Sequence, residues 1–267
     1  MIKLIITDMD GTLLNNNHEI DEEFWPLLER LKEKNILFAV ASGRPYYNLA
    51  KKFENVKENM LFIAENGSLV ISKENELFSS IISISDIKKI KDICKKISRI
   101  VPIYCAKDFA YIEKQYFVEN KELINDEVAK YYNNMKIVED IEEVDEKFIK
   151  VAICDSLGSE TNSYPILKEY ESIFQIVLSG KIWADISKLG TNKGVAIKEI
   201  QDKLNISYDE TMAFGDYLND LEMMKHCKYS YAMKNAHKDL IEVANFTTKE
   251  DNDNLGVINT IKEMICI

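Results

Sequence analysis

Two aspartates stand two positions apart at the end of an apolar run near the start of the chain. The run at residues 4–7 (LIIT) leads directly into residues 8–12 (DMDGT). If the run is a strand of an open α/β sheet, Asp8 and Asp10 lie at its carboxyl end, where such sheets bind ligands. Side chains at this spacing share one side of a strand and can converge on a magnesium ion, which prefers oxygen ligands. Asp-Gly between apolar runs is also typical of a tight hairpin, and this alternative stays open for the motif alone.

A second group of polar residues follows the apolar run at residues 36–41. Ser42 offers a hydroxyl and Gly43 an unhindered backbone N–H, just before a helix predicted to begin near Pro45. Hydroxyls, backbone N–H groups and helix N-termini bind phosphate oxygens. Ser-Gly is also common in ordinary turns, so this element alone predicts little.

Two further groups lie in the last third of the chain. Lys193 precedes a predicted helix, where an ammonium group can neutralise charge developing on a phosphoryl group. Asp216 follows the apolar run at residues 211–214, and Asn219 and Asp220 come next, one of which alternatively caps the following helix. A lysine near a helix start is usually solvated. The combination of four such elements, in an order that allows one crevice, predicts a phosphate site.

Short apolar runs alternate with helical periodicity outside the middle of the chain, which predicts parallel strands joined by crossover helices. In the first crossover, Phe24, Leu27, Leu28 and Leu31 recur at helical spacing, with Asp21 as the predicted N-cap. The helix beginning at Lys193 is predicted to direct Ile197, Ile200 and Leu204 inward. The predicted strands are residues 3–7, 36–41, 61–64, 211–214 and 229–232.

The middle of the chain has a different pattern, in which strand-like runs and hairpin signals such as Ser179–Gly180 mix with helical stretches at 86–97 and 160–170. The predicted strands there are residues 101–105, 109–113, 150–154, 173–178 and 183–186. We therefore predict an α/β fold, with a Rossmann-like doubly wound parallel sheet core formed by residues 1–82 and 189–267 and an inserted α+β domain at residues 83–188.

Charge and composition exclude several classes of protein. The 267 residues carry a net charge of −11 without a basic cluster, which argues against a nucleic-acid partner. Five scattered cysteines without metal-ligand spacing, and the lack of a signal-like or membrane-length apolar run, predict a cytoplasmic protein without a membrane partner. No dinucleotide fingerprint or Walker loop occurs, so NAD and ATP are not implied. The expected partner is a small molecule, and the expected state is a monomer or small homo-oligomer.

The four groups of residues together resemble motifs one to four of the haloacid-dehalogenase superfamily. These are residues 8–12 (DMDGT), 42–44 (SGR), 193–194 (KG) and 215–220 (GDYLND). The long insertion between the second and third motifs resembles the cap domain of its Cof-type phosphatase branch, subclass IIB, which has a C2-type cap. Residues 65–67 (ENG), after the third predicted strand, resemble the same branch.

The resemblance implies a magnesium-dependent phosphatase that acts on a small phosphorylated metabolite, such as a sugar phosphate. It implies that Asp8 attacks phosphorus to form an aspartyl-phosphate, that Asp10 is the general acid and base, and that Lys193 is the third catalytic residue. The implied phosphate-binding residues are Met9, Ser42, Gly43, Lys193 and Asn219. The implied Mg²⁺ site comprises Asp8, Asp10 through its backbone carbonyl, Asp216 and, in support, Asp220.

Two other functions stay open at this point. Phosphomannomutase-like relatives share the aspartate pair and a similar cap but transfer the phosphoryl group between sugar positions. A regulator that binds a sugar phosphate without turnover would keep the pocket and lose the chemistry. The presence of Asp8, Asp10, Lys193 and Asp216 favours turnover over the regulator.

Overall fold

The computed structural model describes residues 1–266, which divide into two compact units. The first unit comprises, among the described residues, Met1–Ser42, Leu49–Phe78 and 192–266. The second comprises Gly43–Asn48 and Ser79–Thr191. The predicted inserted domain, residues 83–188, falls within the second unit, and its role as a cap is a proposal.

The strands and α-helices are numbered here in chain order. The strands are β1 (Leu4–Asp8), β2 (Leu37–Ala41), β3 (Met60–Ala64), β4 (Leu69–Ser72), β5 (Asn75–Ser79), β6 (Ile100–Cys105), β7 (Ala110–Glu113), β8 (Met135–Val138), β9 (Lys150–Asp155), β10 (Phe174–Gly180), β11 (Trp183–Lys188), β12 (Thr211–Gly215), β13 (Tyr229–Ala232) and β14 (Phe246–Thr247). The helices are α1 (Phe24–Glu33), α2 (Tyr46–Lys52), α3 (Ile84–Cys94), α4 (Lys114–Glu119), α5 (Lys121–Leu123), α6 (Ala129–Tyr131), α7 (Ser163–Leu167), α8 (Lys193–Leu204), α9 (Leu221–Lys225), α10 (Lys238–Val243) and α11 (Gly256–Ile265).

A largely parallel sheet forms the centre of the first unit, with the strand order β14-β13-β12-β1-β2-β3-β4-β5. Strand β1 pairs in parallel with β2, where Asp8 lies opposite Ala41, and with β12, where Thr7 lies opposite Phe214. The carboxyl ends of β1, β2 and β12 therefore meet at one edge of the sheet, where open α/β sheets bind ligands. The predicted doubly wound core is confirmed. Strands β4 and β5 were not predicted, and β4 runs antiparallel to β3.

Burial explains why the apolar runs of the first unit become central strands. Leu4, Ile5 and Ile6 of β1 are fully buried, as expected for a parallel strand covered on both faces. Full burial of such a side chain contributes about 1.5–3 kcal/mol to folding.

Two details of the predicted helices of this unit are wrong. Leu204 is 37% exposed, because it is the last residue of α8 and the left-handed backbone of Asn205 (φ +52°) ends the helix there. Asp21 does not cap α1. Its carboxylate accepts the N–H of Glu23 at 2.9 Å, so it closes the turn before the helix, which begins at Phe24.

A mainly antiparallel sheet forms the second unit, with the strand order β10-β11-β9-β6-β7-β8. Both of its faces are covered, since Val151 and Ile153 of β9 belong to one apolar cluster and Ala152 and Cys154 to another. The predicted hairpin is present as β10 and β11, in which Gly180 pairs with Trp183. Strand β8 was not predicted. It pairs in parallel with β7 and is only partly buried, so it lacks a strong apolar signature.

The cysteines are free thiols. Cys94, Cys105, Cys154 and Cys227 are buried, whereas Cys266 is exposed. Burial raises the pKa of Cys94 and of Cys154 to about 12, so these thiols stay protonated and unreactive near neutral pH. Over residues 1–266, every helix is too short or too polar to cross a membrane.

Gly194 generates a first testable prediction, because it lets α8 pack closely on α9. A Cβ at this position would lie 2.6 Å from the backbone oxygen of Glu222 and 2.8 Å from Nδ1 of His226. Alanine favours a helix, yet a clash with backbone requires displacement of the elements, so we expect Gly194→Ala to lower the free energy of unfolding by about 1–3 kcal/mol. Denaturant titration measures this loss.

The matched control is Gly180→Ala. A Cβ there would meet only the side chain of Trp183, at 3.4 Å or more, and we expect a change within about 0.5 kcal/mol. Equal stabilities for Gly194→Ala and the unmodified protein would contradict the close packing of the two helices.

Candidate functional site

Lys193 links two of the predicted aspartates. Its Nζ donates to Oδ1 of Asp8 at 2.5 Å and to Oδ1 of Asp220 at 2.6 Å. The side chains of Lys193 and Asp220 are fully buried, and Asp8 is 6% exposed. Burial lowers the pKa of Lys193, but the carboxylates of Asp220 and Asp8 outweigh it and raise that pKa above the usual value. The ammonium group is therefore charged at neutral pH and is held between two carboxylates.

Local structure explains the positions of these groups. Lys193 is the first residue of α8, whose N-cap Asn192 accepts the N–H of Val195 at 2.9 Å. Asp220 also accepts the backbone N–H groups of Asp216 at 3.1 Å and of Tyr217 at 3.4 Å, which orients its carboxylate. The predicted alternative, that a residue here caps the next helix, is met in part: Asp220 makes no side-chain cap bond to α9, but its bond to the Tyr217 N–H belongs to a capping box on the short 3₁₀ helix Leu218–Asp220 that leads into α9.

Three carboxylates gather at this edge of the sheet. Asp8, Asp216 and Asp220 each offer an oxygen atom within 4.8 Å of those of the other two. Thr12 Oγ1 donates to Oδ1 of Asp216 at 3.1 Å. Gly11 has φ +78°, and a Cβ on it would lie 2.4 Å from Oδ2 of Asp216, so only glycine allows this approach. Asp8 and Asp216, which the sequence placed at two strand ends, are thus brought together.

The electrostatics of the group favour a bound cation. Three carboxylates and one ammonium leave a formal charge of −2. Burial raises the pKa of Asp8 well above its usual value, although the positive charge of Lys193 lowers that pKa. The negative charges of Asp220 and Asp216 raise it further. Burial, followed in size by the negative charge of Asp220, raises the pKa of Asp216 to about 6. Oxygen donors with excess negative charge fit a hard divalent cation such as Mg²⁺.

The carboxylate of Asp10 lies outside this group of three. Its side chain is 43% exposed, and Oδ1 lies 3.2 Å from Nδ1 of His18. His18 has a left-handed backbone with φ +61°, and its carbonyl accepts Nζ of Lys52 at 2.8 Å. His18 is itself largely exposed. Its position beside Asp10 was missed, since nothing in the local sequence signals it.

Two of the predicted phosphate-binding residues, Ser42 and Asn219, contact the same loop residue. Ser42 is buried after the end of β2, and its carbonyl accepts the N–H of Asn66 at 3.0 Å. Asn219 Nδ2 donates to Oδ1 of Asn66 at 3.3 Å. Asn66, which sequence analysis noted only as part of a family resemblance, therefore lies at the site.

The other two predicted phosphate contacts are placed differently. The Met9 side chain is fully buried, and its carbonyl accepts the N–H of Leu14 at 2.8 Å, so a contact with phosphate would use the Met9 backbone N–H. Gly43 belongs to the second unit, where its carbonyl accepts Nζ of the buried Lys150 at 3.2 Å.

Comparison with known proteins agrees with these motifs. A family model described as haloacid dehalogenase-like hydrolase matches residues 5–261. A 5-amino-6-(5-phospho-D-ribitylamino)uracil phosphatase of Escherichia coli is 28% identical over 268 residues, covering 99% of this chain and 96% of the relative. A Bacillus subtilis phosphatase named for the same compound is 28% identical over 265 residues, with 99% and 96% coverage.

Solved structures show the same fold. The crystal structure of a Streptococcus mutans protein is 32% identical and superimposes with a TM-score of 0.88, covering 100% of both chains. The resemblance to the haloacid-dehalogenase superfamily is confirmed, and the named relatives are phosphatases. The chain therefore belongs to the family of haloacid dehalogenase-like hydrolases.

Proposed function

We propose that this phosphatase hydrolyses a small phosphomonoester, such as a phosphorylated sugar or sugar alcohol, through an aspartyl-phosphate on Asp8 and with Mg²⁺ bound at Asp8 and Asp216. The observation that carries the proposal is the contact of the buried Asp8 with Lys193, beside two further carboxylates. This arrangement supplies an oriented nucleophile and a site for the cation that phosphate chemistry requires.

Asp8 is the proposed nucleophile. Lys193 holds Oδ1 of Asp8, so the other carboxylate oxygen is the one that attacks phosphorus in line. The new oxygen–phosphorus bond forms as the bond from phosphorus to the leaving oxygen breaks, which gives an aspartyl-phosphate and an alcohol. Lys193 and the residues Ser42 and Asn219 then contact the phosphoryl oxygens and hold them in place.

The residues that would hold Mg²⁺ are Asp8 and Asp216 through their carboxylates and Asp10 through its backbone carbonyl. Asp220 supports the site by holding Lys193 and the loop after β12, since its oxygens already accept from Lys193 and from two backbone N–H groups. When bound, the cation offsets the repulsion between the nucleophile and the phosphate anion.

Asp10 is the proposed general acid and base. It donates a proton to the leaving alkoxide and then accepts one from the water that attacks the aspartyl-phosphate, which releases phosphate and restores Asp8. The partial exposure of the Asp10 carboxylate gives water access to it. His18 lies against this carboxylate and restricts its orientation.

The names of the relatives support a proposal for the substrate class. Two of them are named for a compound with a phosphate on a ribityl chain. We therefore propose phosphorylated sugars and sugar alcohols, including that compound, as the first substrates to test. Phosphate release from such a panel identifies the substrate, whereas transfer to a second position of the sugar would favour a mutase, and binding without turnover would favour a regulator.

Asp8→Asn tests the nucleophile. We expect kcat for an aryl phosphate ester to fall by at least about 10³-fold, because an amide cannot form the covalent intermediate. The fold should persist, because asparagine has nearly the same size as aspartate, its side-chain oxygen can still accept from Lys193, and Lys193 keeps Asp220 as its charged partner. Steady-state assays and circular dichroism measure both effects. The control is Asp202→Asn, at an exposed position paired with Lys198. More than a tenth of the activity in Asp8→Asn would refute this role.

Asp10→Asn tests the two proton transfers. An aryl ester with a good leaving group needs no acid, so phosphorylation of Asp8 should proceed while hydrolysis of the intermediate slows by about 10²–10⁴-fold. Rapid-quench assays should show a burst of the phenol followed by slow turnover, and mass spectrometry should detect a phosphorylated protein. Turnover at the unmodified rate without a burst would show that another group activates the water.

Metal binding is tested by thermal unfolding. At about 100 times its Kd, Mg²⁺ adds about 2.7 kcal/mol of stability, which raises Tm by roughly 5–10 °C. Without metal, the raised pKa of Asp216 stabilises the fold at low pH, and this contribution is lost as the pH rises through about 6. The rise caused by Mg²⁺ should therefore be larger at pH 7.5 than at pH 5.

Asp216→Asn is the variant that isolates this effect. It should unfold at a higher temperature than the unmodified protein in EDTA at pH 7.5, and Mg²⁺ should add little to its stability. Asp202→Asn is again the control and should respond to Mg²⁺ as the unmodified protein does. An undiminished Mg²⁺ response in Asp216→Asn would place the cation elsewhere.

A further inference from the structure

The loop Glu65–Gly67, directly after β3, joins three parts of the candidate site. The N–H of Asn66 donates to the carbonyl of Ser42 at 3.0 Å, and its side-chain oxygen accepts Nδ2 of Asn219 at 3.3 Å. Gly67 packs against the residue before Lys193, because a Cβ on Gly67 would lie 2.3 Å from the backbone oxygen of Asn192. Asn66 and Gly67 thus contact three residues that are far apart in the chain.

The backbone of this loop is left-handed at three successive positions. Glu65 has φ +52°, Asn66 φ +55° and Gly67 φ +97°. A left-handed backbone is strained for a residue other than glycine, although asparagine tolerates it better than glutamate. The conformation persists because the contacts with Ser42, Asn192 and Asn219 hold it. The loop is therefore a defined part of the site and differs from an ordinary surface turn.

We propose that Asn66 is a positioning residue for phosphoryl transfer, which it serves by fixing the amide of Asn219. This inference rests on the proposed function, in which Asn219 contacts a phosphoryl oxygen. The amide torsion of an asparagine side chain has a broad energy profile, so an unrestrained Asn219 presents either its nitrogen or its oxygen to an anion. The side-chain oxygen of Asn66 is an acceptor, so it selects the orientation of Asn219 in which Nδ2 faces Asn66. One N–H of Nδ2 then binds Asn66, and the other N–H is directed at the phosphoryl group.

The same residue restrains Ser42. Because the N–H of Asn66 binds the Ser42 carbonyl, the two proposed phosphate contacts, Ser42 and Asn219, are both held by Asn66, one through its backbone and the other through its side chain. Asn66 itself is not proposed to touch the substrate. Misplacing a contact group by about 1 Å can cost about 10²-fold in rate, so this restraint has a measurable effect.

The test is Asn66→Gly. Glycine adopts the left-handed backbone without cost, so the loop and its backbone hydrogen bond are retained while the side-chain acceptor is removed. We expect kcat/KM for an aryl phosphate ester to fall about 10–100-fold, inhibition by inorganic phosphate to weaken, and Tm to change by less than about 2 °C. Unchanged kcat/KM and unchanged phosphate inhibition would overturn the proposal.

The matched control is Asn205→Gly. Asn205 has nearly the same backbone, with φ +52°, at the end of α8, and we assign it no role in the site. The same substitution in the same conformation should leave kcat/KM unchanged. An equal loss in both variants would show that the effect of Asn66→Gly is a general effect of glycine on the fold, which contradicts the proposal.

A double-mutant cycle with Asn219→Ala shows whether Asn66 acts through Asn219. If it does, the variant with both substitutions loses no more kcat/KM than Asn219→Ala alone. Losses that multiply would overturn the proposal. A failure of the proposed function can be told apart from a failure of the inference about Asn66. In the former case, the unmodified protein itself would show no hydrolysis that depends on Asp8.

Discussion

The buried ammonium of Lys193 between Asp8 and Asp220 is the interaction on which the site depends. Removing a charge from water costs several kcal/mol, and only close carboxylates with further hydrogen bonds offset this. Lys193 has two such partners, and Asp220 is held in addition by two backbone N–H groups. Three carboxylates within 4.8 Å of one another repel when they are charged, and the ammonium of Lys193 offsets part of this repulsion. The remaining negative charge is what a divalent cation balances.

The parallel sheet makes this arrangement possible. Asp8 ends β1 and Asp216 follows β12. Because these strands are parallel neighbours, residues from the first and last thirds of the chain meet at one edge of the sheet. Close approach then sets strict limits on side-chain size. Gly11 lies against Asp216, and Gly194 lies against α9, so each is small because a neighbour occupies the space of its Cβ.

The parts of this site that sequence reasoning predicted depend on local patterns. Buried strands appear as apolar runs, and polar residues at the ends of such runs, including Asp8 and Asp216, can be assigned to one edge from the order of elements alone. Contacts without a local signal were not predicted. Asn66 and Asn219 are 153 positions apart, and His18 reaches Asp10 from a loop. Short or half-buried strands, such as β8, also lack the periodicity that would identify them.

A crystal structure of the protein with Mn²⁺, whose anomalous scattering locates the ion, tests the central claim most directly. The account predicts an ion about 2 Å from carboxylate oxygens of both Asp8 and Asp216, with Lys193 still in contact with Asp8. An ion bound elsewhere, or Asp8 and Asp216 too far apart to share one, would contradict it.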